Sequence, residues 1–131
     1  MVQIPESHRG LLDTCQIVVL GTFGSDGFPQ MSAVWFALDG DGMPVMSLNT
    51  TRQKVKNLRR HPECSLLFID PATPYRTLEI RARADMQPDL DYEMADKVGA
   101  KYNADLRSRD KPGESRVAVR FAPVKVNIWG K

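Results

Sequence analysis

The sequence has no long hydrophobic run, few cysteines and histidines, and almost no excess of charge. None of its apolar stretches approaches the roughly 18–20 residues that a membrane span requires, and the N-terminal segment MVQIPESHRG lacks the apolar core of a secretory signal. A formal net charge of +2 is too small to make the whole surface a nucleic-acid footprint, so an anion site must come from local clustering. We therefore expect a cytoplasmic protein that binds no membrane and has no nucleic-acid footprint over its whole surface.

Cysteine and histidine each occur only twice, and neither pattern favours a metal site. Cys15 and Cys64 are far apart, and each lies beside predicted strand residues, which favours reduced, buried thiols. His8 and His61 have no partners at metal-ligand spacing, and we expect both on the surface. The sequence therefore predicts no metal.

The chain shows no internal repeat, linker or low-complexity tract, so it predicts a single domain over residues 1–131. Apolar alternation and turn residues place strands at 17–20, 30–38, 45–49, 64–69, 77–84, 117–121 and 124–128. Glycine-containing turns, GSDGF and LDGDGMP, join the first three strands into an antiparallel meander. Six or seven antiparallel strands with peripheral helices favour a mainly β protein with a small barrel, because closure removes exposed sheet edges.

Three helices are predicted around these strands. A short one covers residues 5–14. A second, of about ten residues, is capped by Thr50 or Thr51 and ended by Pro62. The longest covers residues 88–106 and opens with a proline and an acidic first turn. Its buried stripe is predicted as Leu90, Met94, Val98 and Tyr102.

The second helix concentrates positive charge at its start. Residues 52–60 contain five basic side chains and no acidic one, directly after a predicted strand. Free backbone amides and the helix dipole favour an anion at this point, and Arg52 and Lys54 add full charges. Arginine can grip a phosphate through two parallel hydrogen bonds. A solvated helix face is the alternative, and it is the expected role of the basic residues beyond the first turn, which are Lys56, Arg59 and Arg60.

Two motifs extend this pattern beyond the helix. They are DGFPQMSAVWF on the second strand and NTTRQKVKNLRRHP at the third strand and helix. In this order and spacing the chain resembles the flavin/deazaflavin oxidoreductase superfamily, the split β-barrel proteins related to pyridoxamine-phosphate oxidase. Within it, the chain looks most like the branch of coenzyme F420-dependent enzymes. The resemblance covers residues 8–85 well and the final strands more loosely. It implies a six- to seven-stranded split β-barrel that forms a homodimer, with cofactor sites in clefts at the subunit interface.

The resemblance also implies which residues bind the cofactor. Arg52 and Lys54 would hold its phosphate, assisted by Thr50 and backbone amides, while Asn57 would support the helix. The ring system would lie along the second strand and a neighbouring strand, in contact with Gln30, Ser32, Val34, Ser47 and Asn49. Trp129 would approach the site of the partner subunit.

Alternation on the second strand separates these ring contacts from the opposite face. Met31 and Trp35 lie on that opposite face, and we expect both in the core.

Flavin mononucleotide (FMN) and the deazaflavin coenzyme F420 share a ribityl phosphate and a three-ring head, so a phosphate grip does not distinguish them. The segment QMSAVW is typical of the deazaflavin branch, whereas pyridoxamine-phosphate oxidases resemble RxVLLK at this point. We therefore predict an F420-dependent reductase that transfers a hydride to an electron-poor enone, quinone or tetrapyrrole. The alternatives are an FMN-dependent oxidoreductase, a non-catalytic flavin-, deazaflavin- or haem-binding protein, and an anion- or nucleic-acid-binding module. The sequence identifies no catalytic side chain.

Overall fold

The computed structural model describes residues 2–131. Its strands are β1 (Val18–Phe23), β2 (Pro29–Val34), β3 (Ala37–Leu38), β4 (Pro44–Asn49), β5 (Glu63–Ile69), β6 (Thr77–Pro88) and β7 (Arg116–Trp129). The helices are α1 (Glu6–Arg9), α2 (Leu11–Thr14), α3 (Gln53–Arg60) and α4 (Glu93–Lys101), with 3-10 turns at Leu90–Tyr92 and Arg107–Arg109. The strands form one antiparallel sheet in the order β2-β1-β5-β6-β7-β4-β3, curled into a half-barrel. This confirms the predicted mainly β fold. No helix in the described range is long and apolar enough to cross a membrane.

The main core fills one face of the curled sheet. Alternate side chains of β1, β5 and β6 point into it, and Phe36 and Phe68 are among its largest fully buried members. Val55 and Leu58 of α3 are buried in the same cluster, as the sequence predicts. Burying an apolar side chain of this size contributes roughly 1.5–3 kcal/mol, so these two residues dock α3 against the sheet.

The hairpin between β1 and β2 depends on two glycines. Gly27 has φ of +85°, and a Cβ at Gly24 would lie 2.3 Å from the carbonyl oxygen of Phe28. Side chains larger than hydrogen would therefore distort the turn. The resulting register places Gln30 directly opposite Thr22, on the face of the sheet that carries the core.

The helix predicted over residues 88–106 is shorter and starts later. Strand β6 continues to Pro88, which is paired with Val117, and α4 covers only Glu93–Lys101. The Asp89 carboxylate accepts hydrogen bonds from the amides of Met94 and Ala95, at 2.8 and 2.9 Å, and so caps a helix that begins four residues beyond it. Of the predicted stripe, Met94 and Val98 are buried and Tyr102 is half-buried, but Leu90 is 74% exposed.

The two predicted closing strands are one continuous strand, β7. The sequence prediction separated them at Pro123, which has no amide proton for a sheet hydrogen bond. Strand β4 pairs with β7 only as far as Arg120, so Pro123 lies where β6 is the single hydrogen-bonded neighbour. The register between β6 and β7 shifts between Arg81 and Ala82, directly opposite this proline. A local irregularity therefore accommodates Pro123 without ending the strand.

Two single-residue expectations are wrong, one holds in part, and the cysteine prediction is confirmed. Met31 is 58% exposed on the outer face of β2. Trp35 is half-buried, packs against a second core cluster that includes Val45 and Met94, and stacks on Tyr102 with ring centroids 4.2 Å apart. His8 is buried, not at the surface, and its Nε2 donates to the carbonyl oxygen of Trp129 at 3.0 Å. Both cysteines are free and buried. No group of three or more metal-ligating side chains comes together within residues 2–131.

Candidate functional site

The start of α3 leaves backbone donors without acceptors. Arg52 occupies the N-cap position, and no side chain of residues 2–131 caps the helix. The amides of Gln53 and Lys54 donate to no acceptor within residues 2–131. Unpaired amides at a first helical turn carry the positive end of the helix dipole, so an anion placed here would satisfy them.

The two threonines before the helix form hydrogen bonds within the preceding turn and do not cap the helix, which corrects the sequence prediction. The amide and hydroxyl of Thr51 donate to Oδ1 of Asn49, at 2.9 and 2.7 Å. The amide and hydroxyl of Thr50 donate to the carbonyl oxygen of Ser115, at 2.9 and 3.2 Å. Thr50 therefore ties the start of α3 to the segment that precedes β7. We call residues 50–54 the basic corner.

The two cations of the basic corner have no counter-ion within residues 2–131. Within the described chain, neither Arg52 nor Lys54 has a carboxylate oxygen within 4.0 Å. Lys54 is half-buried, and this burial, together with the nearby charge of Arg52, lowers the pKa of its ammonium. A bound anion would favour the charged form again, so the basic corner is electrostatically suited to a phosphate.

The remaining basic residues of α3 divide into two groups. Arg60 donates to the carbonyl oxygen of Phe23 at 3.2 Å, and so braces the helix against the end of β1. Lys56 and Arg59 are exposed and form no ion pair or side-chain hydrogen bond in the part of the chain described. All three side chains are exposed, as expected of a solvated face, and Arg60 in addition contacts the sheet.

Asn57 connects α3 to the sheet. It is completely buried, and its Nδ2 donates to Oγ1 of Thr22 and to Oε1 of Gln30, both at 3.1 Å. Its Oδ1 accepts from Nε2 of Gln53 at 2.9 Å. Asn57 therefore brings Gln30 and the first turn of α3 into one network.

The predicted ring contacts on β2 share one face of the strand. Gln30 is half-buried beneath α3, and Val34 is buried in the main core. The hydroxyl oxygen of Ser32, between them, is buried and has no hydrogen-bond partner within residues 2–131. A buried polar atom without a partner costs about 1–3 kcal/mol, so Ser32 Oγ is suited to a polar group of a ligand.

Ser47 and Asn49 do not join this group. Strand β4 lies at the far side of the sheet order from β2, so the expectation that the two strands are neighbours was wrong. Ser47 Oγ donates to Asp89 at 2.9 Å. Asn49 Nδ2 donates to Asp110 and Glu114, each at 3.0 Å. Both side chains therefore direct their donors to carboxylates beside the basic corner and not to the face that carries Gln30 and Ser32.

Trp129 lies at the opposite end of the sheet from the basic corner. It ends β7, pairs with Thr77 and is 72% exposed. Thr77 pairs with Ile69 at one end of β5, whereas α3 leads into Glu63 at the other end of that strand. Within one chain, Trp129 therefore contributes nothing to the candidate site, and its predicted role toward a partner subunit stays a prediction.

A cavity of about 500 Å³ lies on the outer face of the sheet. It is lined by Gly21, Thr22, Phe23, Pro29, Met31, Glu63, Cys64, Ser65, Glu79, Arg81, Ala82, Arg83 and Val124. The basic corner is not part of it, but β2 borders both, because Met31 lines the cavity while Gln30 and Ser32 point to the inner face. The unpaired edge of β2 therefore separates an anion site from a partly apolar surface.

Three residues that build this region, Thr22, Asp110 and Arg116, were not predicted from the sequence. Thr22 is a polar residue at an inward position of an apolar strand, and that mismatch was a usable signal. Asp110 and Arg116 form a buried ion pair, with Nε to Oδ2 at 2.8 Å, beside the basic corner. They lie at the two ends of a polar loop, where nothing in the local pattern distinguishes them from other charged residues.

The family model described as pyridoxamine 5'-phosphate oxidase matches residues 4–130, almost the whole chain. This chain belongs to that family. Among solved structures similar to it, an F420 reductase has 32% sequence identity and a TM-score of 0.79, with 95% of this chain and 98% of that chain covered. A conserved hypothetical protein from Mycobacterium tuberculosis has 25% identity and a TM-score of 0.76, with 98% and 86% covered.

Other members of the similar group handle haem. The haem storage protein HutZ from Vibrio cholerae shares the fold, with a TM-score of 0.73, 17% identity, and 99% of this chain and 96% of that chain covered. A curated relative, the chloroplastic non-canonical haem oxygenase HOZ from Arabidopsis thaliana, is 36% identical over 69 residues, which is 50% of this chain. The match spans only 22% of that relative's length. The chain thus belongs to a flavin-related oxidoreductase family, and proteins that handle haem are among those similar to it.

Proposed function

We propose that the protein is a coenzyme F420-dependent oxidoreductase, with the cofactor's ribityl phosphate bound at the basic corner. The observation that carries this proposal is the half-buried Lys54, without a counter-ion, beside two unpaired amides at the start of α3. A phosphate would accept from those amides and pair with Lys54 and Arg52. The Thr50 hydroxyl, already bonded to Ser115, would assist through the turn that it holds.

The residues beyond the basic corner fit the rest of the cofactor. Gln30 and Ser32 offer polar groups along β2, and the unpartnered hydroxyl of Ser32 is explained if a ring atom pairs with it. Val34 gives this strand an apolar end. When bound, the deazaflavin supplies hydride transfer, and the protein supplies binding, orientation and exclusion of water. An electron-poor enone, quinone or tetrapyrrole is the proposed acceptor.

The choice of deazaflavin over FMN rests on two observations. The segment QMSAVW is typical of the deazaflavin branch, and the F420 reductase is similar over nearly the full length of both chains. A second candidate is a flavin-, deazaflavin- or haem-binding protein without turnover. It is favoured by the 36% identity to the haem oxygenase HOZ over 69 residues.

A homodimer belongs to the proposal. Phe23, Met31 and Val124 are exposed apolar side chains around the outer cavity, and a second copy of the chain would bury them. The cofactor would then lie at the border between the two copies, next to β2. Trp129 of each copy would approach the site of the other.

The proposal is tested by titrating the purified protein with coenzyme F420 and with FMN, using fluorescence quenching, followed by turnover. We expect tight binding of F420, and oxidation of its reduced form when a quinone or enone is added. Binding without oxidation by any acceptor would instead support the non-catalytic alternative. If neither cofactor binds, the proposed function is wrong.

Reversing two exposed charges on α3 should affect the two cofactors differently. Coenzyme F420 carries an oligoglutamate tail that FMN lacks, and Lys56 and Arg59 are the free cations beyond the basic corner. We expect Lys56→Glu combined with Arg59→Glu to weaken F420 binding about 3- to 10-fold at low salt, with a smaller effect at about 0.5 M salt because of screening. FMN affinity should change little. Lys97→Glu on α4 is the charge control, and equal losses for both cofactors would exclude a tail contact.

A further inference from the structure

The hydrogen bonds around Asn57 have a direction, and that direction fixes which atom Gln30 presents to a ligand. We infer that Asn57 is a positioning residue: it holds the amide oxygen of Gln30 inward, so that Gln30 offers its NH2 group, a pure donor, to an acceptor atom of the bound ring system. This inference rests on the proposed function, because it concerns the ring end of the same site. It adds that the ligand must present hydrogen-bond acceptors to Gln30.

The orientation of the Asn57 side-chain amide follows from a neighbouring group that can only donate hydrogen bonds. The guanidinium of Arg60 lies 3.5 Å from Oδ1 of Asn57, and a guanidinium only donates. Gln53 Nε2 also donates to this oxygen, at 2.9 Å. Turning the Asn57 amide over would set its NH2 against the guanidinium, which offers no acceptor. Its Nδ2 therefore faces the sheet.

At the sheet, Nδ2 of Asn57 requires acceptors, and it finds Oγ1 of Thr22 and Oε1 of Gln30 at 3.1 Å each. The Thr22 hydroxyl, having accepted from Asn57, donates its own proton to Gln30 Oε1 at 3.4 Å. The amide oxygen of Gln30 thus receives two hydrogen bonds. Its Nε2 has no acceptor within residues 2–131.

Burial makes this orientation persistent. Asn57 is 0% exposed and Thr22 is 3% exposed, so water does not compete for their hydrogen bonds. Ser32 lies two residues beyond Gln30 on the same face of β2, roughly 6.5–7 Å along the strand. Its unpartnered hydroxyl can also donate. The two groups therefore suit a planar edge with carbonyl oxygens or unprotonated ring nitrogens, as in the pyrimidinedione ring of a flavin or deazaflavin.

The test reverses the polarity without changing the shape. In Asn57→Asp, the carboxylate accepts from Gln53, Arg60 and Thr22, and Gln30 turns its NH2 inward and its oxygen toward the ligand. We expect FMN and coenzyme F420 to bind about 10- to 100-fold more weakly. The absorption band of the bound chromophore should move toward its position in water. Binding of inorganic phosphate, which has no ring, should stay within about twofold, and this measures any repulsion by the new charge.

A double-mutant cycle shows whether Asn57 acts through Gln30. Gln30→Met keeps the volume and removes the donor, so it should lose cofactor affinity to a similar extent. Adding Asn57→Asp to Gln30→Met should then cause little further loss of FMN or F420 binding. If Asn57→Asp is equally damaging in both backgrounds, or weakens phosphate binding as much as cofactor binding, the inference is overturned.

An experiment without cofactor separates this inference from the proposed function. The side-chain NH2 of Gln30 should exchange rapidly with water in the wild-type protein and slowly in Asn57→Asp, as measured by NMR. Equal exchange in the two proteins would overturn the assigned orientation. Failure of the wild type to bind FMN or F420, with the exchange difference present, would overturn the proposed function alone.

Discussion

Replacing Lys54 by alanine should weaken binding of both FMN and coenzyme F420 by about 10- to 100-fold. The variant removes a charge-assisted hydrogen bond to the phosphate, which is worth roughly 1.5–3 kcal/mol. Arg52 and the amides of the first turn remain, so binding is weakened but not abolished. Because the phosphate is common to both cofactors, the loss should be similar for each. Fluorescence titration measures it directly.

Lys56→Ala is the matched control, because it removes the same charge from an exposed position two residues further along α3. We expect it to change FMN affinity less than about twofold. The free energy of unfolding of both variants should be compared in parallel, to exclude loss of the helix. If Lys54→Ala leaves both dissociation constants unchanged, the phosphate does not bind at the basic corner.

The wild type should also show a dependence on pH that Lys54→Ala lacks. Burial and the charge of Arg52 lower the pKa of Lys54 below the ordinary lysine value of 10.5. The ammonium binds the phosphate only in its charged form, so affinity should fall as pH rises through this lowered value. Without Lys54, affinity should be flat over the same alkaline range.

Features that depend on neighbouring residues in the chain could be predicted from the sequence. The first turn of α3 is an example, since a polar turn, a run of basic residues and buried Val55 and Leu58 are all local signals. Strand alternation likewise placed Gln30 and Ser32 on one face of β2. Here the local pattern and the tertiary contacts agree.

Features set by distant partners could not be predicted. Pro88 and Asp89 indicated a helix start, but pairing with β7 extends β6 to Pro88, and the Asp89 carboxylate reaches forward to a helix that starts at Glu93. Alternation on β2 correctly separated Met31 from Gln30. It did not say which face the core would cover, and Met31 is exposed because β1 and β5 turn their apolar side chains to the other side.

The same distinction applies within the candidate site. Arg52 and Lys54 are visible in the sequence because their charges are adjacent. Ser47 and Asn49 were assigned to the ring by the family resemblance, on a strand expected to neighbour the second strand. Their side chains instead pair with Asp89 and Asp110, which are about 40 and 60 residues away in sequence, and no local pattern encodes that.

Replacing Asp110 by alanine should cause the largest loss of stability among the variants considered. Asp110 and Arg116 have side chains that are 3% and 9% exposed, joined by two hydrogen bonds of 2.8 and 2.9 Å. Without the carboxylate, the guanidinium of Arg116 stays buried, and its remaining partner within residues 2–131 is the Ser47 carbonyl at 3.3 Å. Breaking a buried pair in this way costs about 3–5 kcal/mol. Urea unfolding monitored by circular dichroism measures the change.

Two controls show whether burial of the pair is responsible. Asp96→Ala removes a carboxylate that also pairs with an arginine, at 2.7 Å, but on the surface, and its effect on stability should be far smaller. Asp110→Ala combined with Arg116→Met removes both charges and should recover much of the lost stability. A loss of equal size in Asp96→Ala, or no recovery in the double variant, would contradict the explanation.

The pH dependence of stability gives an independent measure of the same pair. Hydrogen bonds from Arg116, and to a lesser degree from Asn49, lower the pKa of Asp110 in the folded protein. The carboxylate therefore stabilises the fold fully above the unfolded value of about 3.9, and this contribution is lost as pH falls through the lower folded value. The stability of Asp110→Ala should therefore fall less steeply as pH drops through that range.

Replacing Asp110 by alanine should also weaken FMN binding at neutral pH. Ser115, in the same segment as Asp110, accepts hydrogen bonds from Thr50 of the basic corner. A weaker affinity would link the buried pair to the basic corner.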